Sequence, residues 1–198
     1  MALPGFASAA AAARHQVVAG SGLRPAVFLD RDGVINRTIV REGKPHAPVS
    51  MDELEIIPGT AEALLRMRSA GLLCIVVTNQ PDIAAGRQRA DVLDAMHARL
   101  MGELAIDSIR VCGHVDADNC ACRKPRPGLL LGAARDLGID LAASCMVGDR
   151  WRDVAAGHRA GCKCFFIDYG YDEKRPEEPY VLVKSLVDVA DFLLPSRH

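Results

Sequence analysis

Along this chain, short runs of β-branched and other apolar residues alternate with longer segments whose apolar positions recur every three or four residues. The runs predict strands at 26–30, 72–78, 108–112, 144–148 and 163–168, and the longer segments predict helices at 59–70, 89–103, 127–137, 151–160 and 183–194. The strand segments are continuously apolar, as strands covered on both faces are. Such alternation gives an α/β fold, a single Rossmann-like parallel sheet with helices on both faces. Gly71, Gly138 and Gly161 follow predicted helices where a left-handed cap is wanted.

The polar residues break this pattern at one place. Asp30, Thr78 and Asp149 all stand at the carboxyl ends of predicted strands, the edge at which open α/β sheets bind ligands. Two aperiodic stretches, 36–55 and 114–127, also follow strand ends and should overhang that edge. No insertion is long enough for a separate cap domain.

Composition narrows the field. At 198 residues, 49% hydrophobic and 25% charged, the chain suits one globular domain, taken as 26–198, with 1–25 a poorly ordered extension rich in alanine and glycine. A formal net charge of -1 gives no general attraction to nucleic acid or to an anionic membrane. The apolar run at 7–13 is too short to span a bilayer and has no basic residue before it, so neither a membrane anchor nor a secretory signal is expected. Seven unevenly spaced cysteines without a signal segment point to reduced thiols in the cytoplasm.

Asp30-Arg31-Asp32-Gly33 ends the first strand with two carboxylates two residues apart, followed by a glycine that lets the backbone turn. Such a pair can divide the labour of group transfer: one carboxylate attacks, while the other protonates the leaving group and then activates water. A solvated strand end is the plain alternative for the tetrapeptide by itself. Asp149 and Asp153 place two more acids a helical turn apart, and Asp30, Asp149 and a backbone carbonyl form an oxygen-only set of the kind magnesium prefers. Asp153 suits a supporting place behind the metal, or a helix cap. A carboxylate approaching a phosphate dianion faces repulsion on the order of 4 kcal/mol at 4 Å, so cations are needed close by. Lys124 supplies one, and Thr78 with Asn79 can offer donors to phosphate oxygens.

Cys112, His114, Cys120 and Cys122 form a second cluster: three potential thiolates and an imidazole in one short polar loop, the ligand set of a closed, structural zinc site. Arg123 and Lys124 follow directly, so this metal would fix the position of two cations. Cys74, Cys145, Cys162 and Cys164 read instead as small core residues.

Taken in order, Asp30-Arg-Asp32-Gly, Val77-Thr78-Asn79, Arg123-Lys124-Pro125 and Gly148-Asp149 with Asp153 resemble the haloacid dehalogenase superfamily of phosphatases. The zinc loop and Asn36 resemble its subgroup of heptose-bisphosphate and histidinol-phosphate phosphatases. The resemblance runs from about Ala26 to Asp168. It implies a phosphoric monoester hydrolase with Asp30 as nucleophile, Asp32 as general acid/base, Thr78 and Lys124 as phosphoryl stabilisers, and magnesium held by Asp30, the Asp32 carbonyl and Asp149. It further implies substrate contacts at Asn79, Arg123 and Arg150, a small phosphorylated metabolite as partner, and a monomer. The sequence 123–128 and 139–149 favours a sugar bisphosphate. The five-residue gap between His114 and Cys120 is nearer the histidinol-phosphate pattern, and Pro81-Asp82 departs from the usual Ser-Gly. Readings of other classes are a non-hydrolytic phospho-acceptor module, which has no use for Asp32, and a zinc-bearing nucleic-acid module, disfavoured by 5% aromatic content and by basic residues not gathered into a stripe.

Overall fold

A computed structural model describes residues 22–194; residues 1–21, most of the extension expected at 1–25, lie outside the described residues. The strands are β1 (Ala26–Leu29), β2 (Ile39–Arg41), β3 (Lys44–His46), β4 (Leu73–Asn79), β5 (Ser108–Cys112), β6 (Cys145–Gly148), β7 (Lys163–Ile167) and β8 (Val181–Val183). The helices are α1 (Thr60–Ser69), α2 (Pro81–Ala84), α3 (Ala90–Glu103), α4 (Gly128–Leu137), α5 (Trp151–Ala160) and α6 (Leu186–Leu193). Six strands make one sheet in the order β5-β4-β1-β6-β7-β8, every neighbouring pair parallel.

Alternation along the strands sends side chains into two cores. Val27 and Leu29 join Val76, Val147 and Phe165 in a cluster completed by residues of α1, α3 and α6. Ala26 and Phe28 join Ile75, Val77 and Met146 in a second cluster, completed by α4 and α5. Each fully buried Val, Leu or Phe in these clusters contributes about 1.5–3 kcal/mol relative to exposure.

The structure adds elements that the apolar pattern does not announce. Within 36–55, β2 and β3 form an antiparallel hairpin whose turn residues Glu42 and Gly43 both have positive φ, at 51° and 73°. That is the twist a two-residue hairpin turn requires. A short edge strand, β8, takes Val183, so the last helix begins at Leu186 instead of 183, with the Ser185 side chain accepting from the Asp188 N–H. Among the described residues, no helix is long and apolar enough to cross a membrane.

Register sets the level of the site. Leu29 pairs with Val76 on one side and Val147 on the other, so Asp30 emerges one residue beyond the central strand, its N–H donating to the Val147 carbonyl at 2.9 Å. Asn79 pairs with Cys112 at the same edge.

Candidate active site

At this edge three buried carboxylates meet one buried ammonium. Lys124 Nζ lies 2.9 Å from Asp30 Oδ1 and 2.6 Å from Asp153 Oδ1, and donates to the Val77 carbonyl at 2.8 Å, which uses all three of its protons. Asp149 joins Asp30 and Asp153 in a group whose ligand atoms all lie within 4.8 Å of one another. One Asp149 oxygen accepts from the Tyr171 hydroxyl at 3.0 Å; the other, Oδ1, is buried with no hydrogen-bond partner among the described residues. Gly33, at φ 86°, permits this packing, because a Cβ there would overlap Asp149 Oδ2.

With all four groups ionised, the cluster carries two uncompensated negative charges. Burial, then the charge of Asp153, pushes Asp30 up to about 7 against the opposing pull of Lys124, and burial with the charges of Asp30 and Asp153 raises Asp149 well above the carboxylate range. Oxygen donors, an orphaned buried carboxylate oxygen and a net charge of this sign together fit a hard divalent cation.

Asp32 sits apart from this cluster. Its Oδ1 accepts from Asn36 Nδ2 at 2.9 Å and its Oδ2 from Gln80 Nε2 at 2.8 Å, while the fully buried Arg31 guanidinium bonds both oxygens at 3.0–3.1 Å. Asp30 and Asp32 both line a cleft of about 200 Å³, bounded by His46 of the hairpin, Asp82 and Arg87 beyond β4, and Arg150 and Arg152 at the start of α5.

Beside the cleft, the Cys112, Cys120 and Cys122 sulfurs lie 3.1–3.7 Å apart, with His114 Nδ1 3.5 Å from Cys112 and 3.4 Å from Cys122. Sulfurs around a tetrahedral zinc stand about 3.8 Å apart, from a bond length of about 2.3 Å. The four groups have nearly that spacing without a disulfide between them.

A family model described as "HAD-hyrolase-like" matches residues 121–189. D-glycero-D-manno-heptose-1,7-bisphosphate 7-phosphatase of Thermosynechococcus vestitus is 36% identical over 79% of this chain and 85% of its own length. The corresponding enzyme of Pseudomonas aeruginosa is 38% identical over 86% of this chain and 98% of its length. The chain belongs to the heptose-bisphosphate phosphatase family of haloacid dehalogenase-like hydrolases. A crystal structure of a family member from B. bronchiseptica, complexed with magnesium and phosphate, superposes with a TM-score of 0.75 at 32% identity, covering 86% of this chain and 98% of that one.

The residues singled out in the sequence are not all drawn to one point. Asp30, Asp149, Asp153 and Lys124 form the buried quartet, and Asp32 faces the cleft next to it. Thr78 is buried at the end of β4, its hydroxyl accepting from Gln80 at 2.8 Å. Asn79 uses both ends of its amide on the Lys124 backbone, at 3.0 and 3.1 Å, and so holds the lysine in place. Arg123 turns toward the cysteine loop, bonding Asp116 at 2.6 Å and the His114 carbonyl at 3.1 Å, while Arg150 lines the cleft and pairs with Glu173. Sequence reasoning missed Arg31, Gln80 and Tyr171 as neighbours of the site. The position of Arg31 between the two acids and of Gln80 after Thr78-Asn79 was a usable signal; Tyr171 gave none, because it reaches Asp149 from a segment without helical or strand period.

Proposed function

We propose that this protein is a magnesium-dependent phosphatase acting on the 7-phosphate of D-glycero-D-manno-heptose 1,7-bisphosphate, with Asp30 as nucleophile and Asp32 as general acid/base. The observation that carries the reading is the buried quartet of Asp30, Asp149, Asp153 and Lys124 at the carboxyl edge of the central strands. A structural lysine would not draw three acids out of water to one point, since burying charge is costly unless it is used or matched. Magnesium would be held by Asp30, Asp149 and the Asp32 carbonyl, with Asp153 supporting, and when bound would supply charge neutralisation for the phosphoryl oxygens. The cysteine loop, Cys112, His114, Cys120 and Cys122, would hold zinc as a structural ion.

Asp30 attacks phosphorus, and the bond from phosphorus to the sugar oxygen breaks. Asp32 gives its proton to that oxygen as it leaves, so the departing group is an alcohol and an aspartyl phosphate remains on Asp30. Asp32, now a carboxylate, takes a proton from water as the water attacks phosphorus, which restores Asp30 and frees phosphate. Lys124, fixed by Asn79 and Asp153, offsets charge on the transferring group, and the Thr78 hydroxyl donates to it. Arg150, which lines the cleft, is a cation for the rest of the substrate; Arg123 reaches it only by leaving Asp116 and the His114 carbonyl.

Phosphate release from the heptose 1,7-bisphosphate, fructose 1,6-bisphosphate and histidinol phosphate, with magnesium and with EDTA, tests this reading against Asp30→Asn as blank. Preference for the heptose compound, lost in the variant and in EDTA, is the expected result. Preference for histidinol phosphate overturns the substrate, and release that survives in Asp30→Asn overturns the nucleophile.

A further inference from the structure

The acid/base carboxylate is gripped by an arginine that is itself gripped from behind. Arg31 is 0% exposed, and its Nε and one terminal nitrogen form the fork on Asp32. The other terminal nitrogen, Nη1, points away from the cleft and meets His97 Nε2 of α3 at 3.2 Å. A guanidinium has donors only, so His97 Nε2 must present its lone pair. That fixes the imidazole as neutral, with its proton on Nδ1. Burial and the adjacent Arg31 charge push His97 down to about 4, in keeping with a ring that stays uncharged.

We propose that His97 is a positioning residue for catalysis, holding the Arg31 guanidinium in the plane that aims Asp32 at the leaving oxygen. The inference rests on the reading of Asp32 as general acid/base. Its physical basis is the cost of an unpaired donor on a buried cation: without an acceptor at 97, Nη1 has no partner, and the guanidinium tilts to find one. Arg31 and Asp32 are adjacent in sequence and share three bonds, so the tilt is passed to the carboxylate. The helix that carries His97 is a firm anchor, since Leu93, Met96 and Leu100 fix α3 in the interior. Asn36 and Gln80 hold Asp32 from other sides, one bond each, so Arg31 is its main restraint.

A packing role and a positioning role separate by leaving group. The heptose bisphosphate releases an alkoxide that needs a proton as it departs, whereas p-nitrophenyl phosphate releases a phenolate that does not. His97→Leu keeps volume but accepts nothing; His97→Gln keeps volume and offers an amide oxygen to Arg31. With magnesium present, the ratio of kcat/KM for the bisphosphate to kcat/KM for p-nitrophenyl phosphate, which covers only the steps through loss of the leaving group, should fall at least about tenfold in His97→Leu, part of the 10²–10⁴ that a positioned acid supplies. In His97→Gln it should return to within about threefold of wild type. Equal losses of kcat/KM on both substrates, or Leu and Gln variants that behave alike, overturn the proposal. Asp32→Asn is run alongside: if it leaves the ratio unchanged, the role assigned to Asp32 is wrong, whereas a ratio depressed by Asp32→Asn and untouched by His97→Leu removes His97 alone.

Discussion

Replacing Asp30 by asparagine should make the magnesium-free protein more stable at neutral pH, although it removes the nucleophile. Burial and the neighbouring Asp153 raise Asp30 from the ordinary 3.8 to about 7, so between those values the folded state binds a proton that the unfolded state has lost. Stability therefore falls as pH rises through that window, by about 1.4 kcal/mol per unit and about 4 kcal/mol in all. From pH 5 to pH 7 the wild type should lose about 2 kcal/mol through this group, and Asp30→Asn should not. Asp149, raised by burial and then by the charges of Asp30 and Asp153, adds a loss of the same sign in both proteins, smaller in Asp30→Asn, where the Asp30 charge is gone. His97, held down near 4, pulls the other way below its unfolded value, but it is common to both proteins and cancels in the comparison. Urea unfolding at pH 5, 6 and 7, followed by the fluorescence of Trp151, the sole tryptophan, at the start of α5 beside the site, gives the two slopes. Magnesium should restore the wild type, by about 2.7 kcal/mol at a hundred times its Kd. Parallel curves for the two proteins in magnesium-free buffer would refute the account of Asp30 as a carboxylate held in a site short of positive charge.

Tyr171→Phe removes the donor to Asp149 Oδ2 and the contact with Thr38 at 2.9 Å; calorimetry should show magnesium affinity reduced roughly ten- to a hundredfold, and an unchanged Kd speaks against a role at the metal. Cys120→Ser should lose bound zinc by metal analysis and expose the Arg123–Lys124 bond to trypsin while the sheet persists, because three of the four ligands lie in the loop beyond β5; full zinc retention contradicts the site.

Much of this was legible from residue order because the central strands are apolar throughout and stop abruptly at acids. Asp30 and Asp149 end such runs, and once their strands are parallel neighbours the two carboxylates must meet. The cysteine loop was legible for a different reason: its ligands are close in sequence, so little folding is needed to bring them together. What could not be read depends on long-range packing. The hairpin strands hold mostly exposed or half-buried residues, and Pro45 in β3 argues against a strand until the turn at Glu42-Gly43 is considered. The edge strand β8 has three residues, and the helical period that follows it masks its start. Arg31 is charged, yet it is among the largest fully buried side chains, because Asp32 beside it in the turn after β1 and His97 on the distant α3 both partner it. Arg123 and Asn79 show that a motif fixes a position but not what the side chain touches.

Strand β1 occupies the middle of the sheet, and one of its two neighbours is made far later: the Ala26 N–H is capped by a hydroxyl 118 residues on. On the ribosome, Asp30 thus emerges on a strand that gains β4 early and waits for residues 145–148 to close its other side. Until then the nascent chain presents Val27-Phe28-Leu29 as an open apolar edge, a template for pairing with other chains. Stop codons or proteolytic cuts ahead of β6 therefore do more than remove Asp149: they leave the centre of the sheet as its rim, and such fragments belong to the aggregation and quality-control burden of the cell.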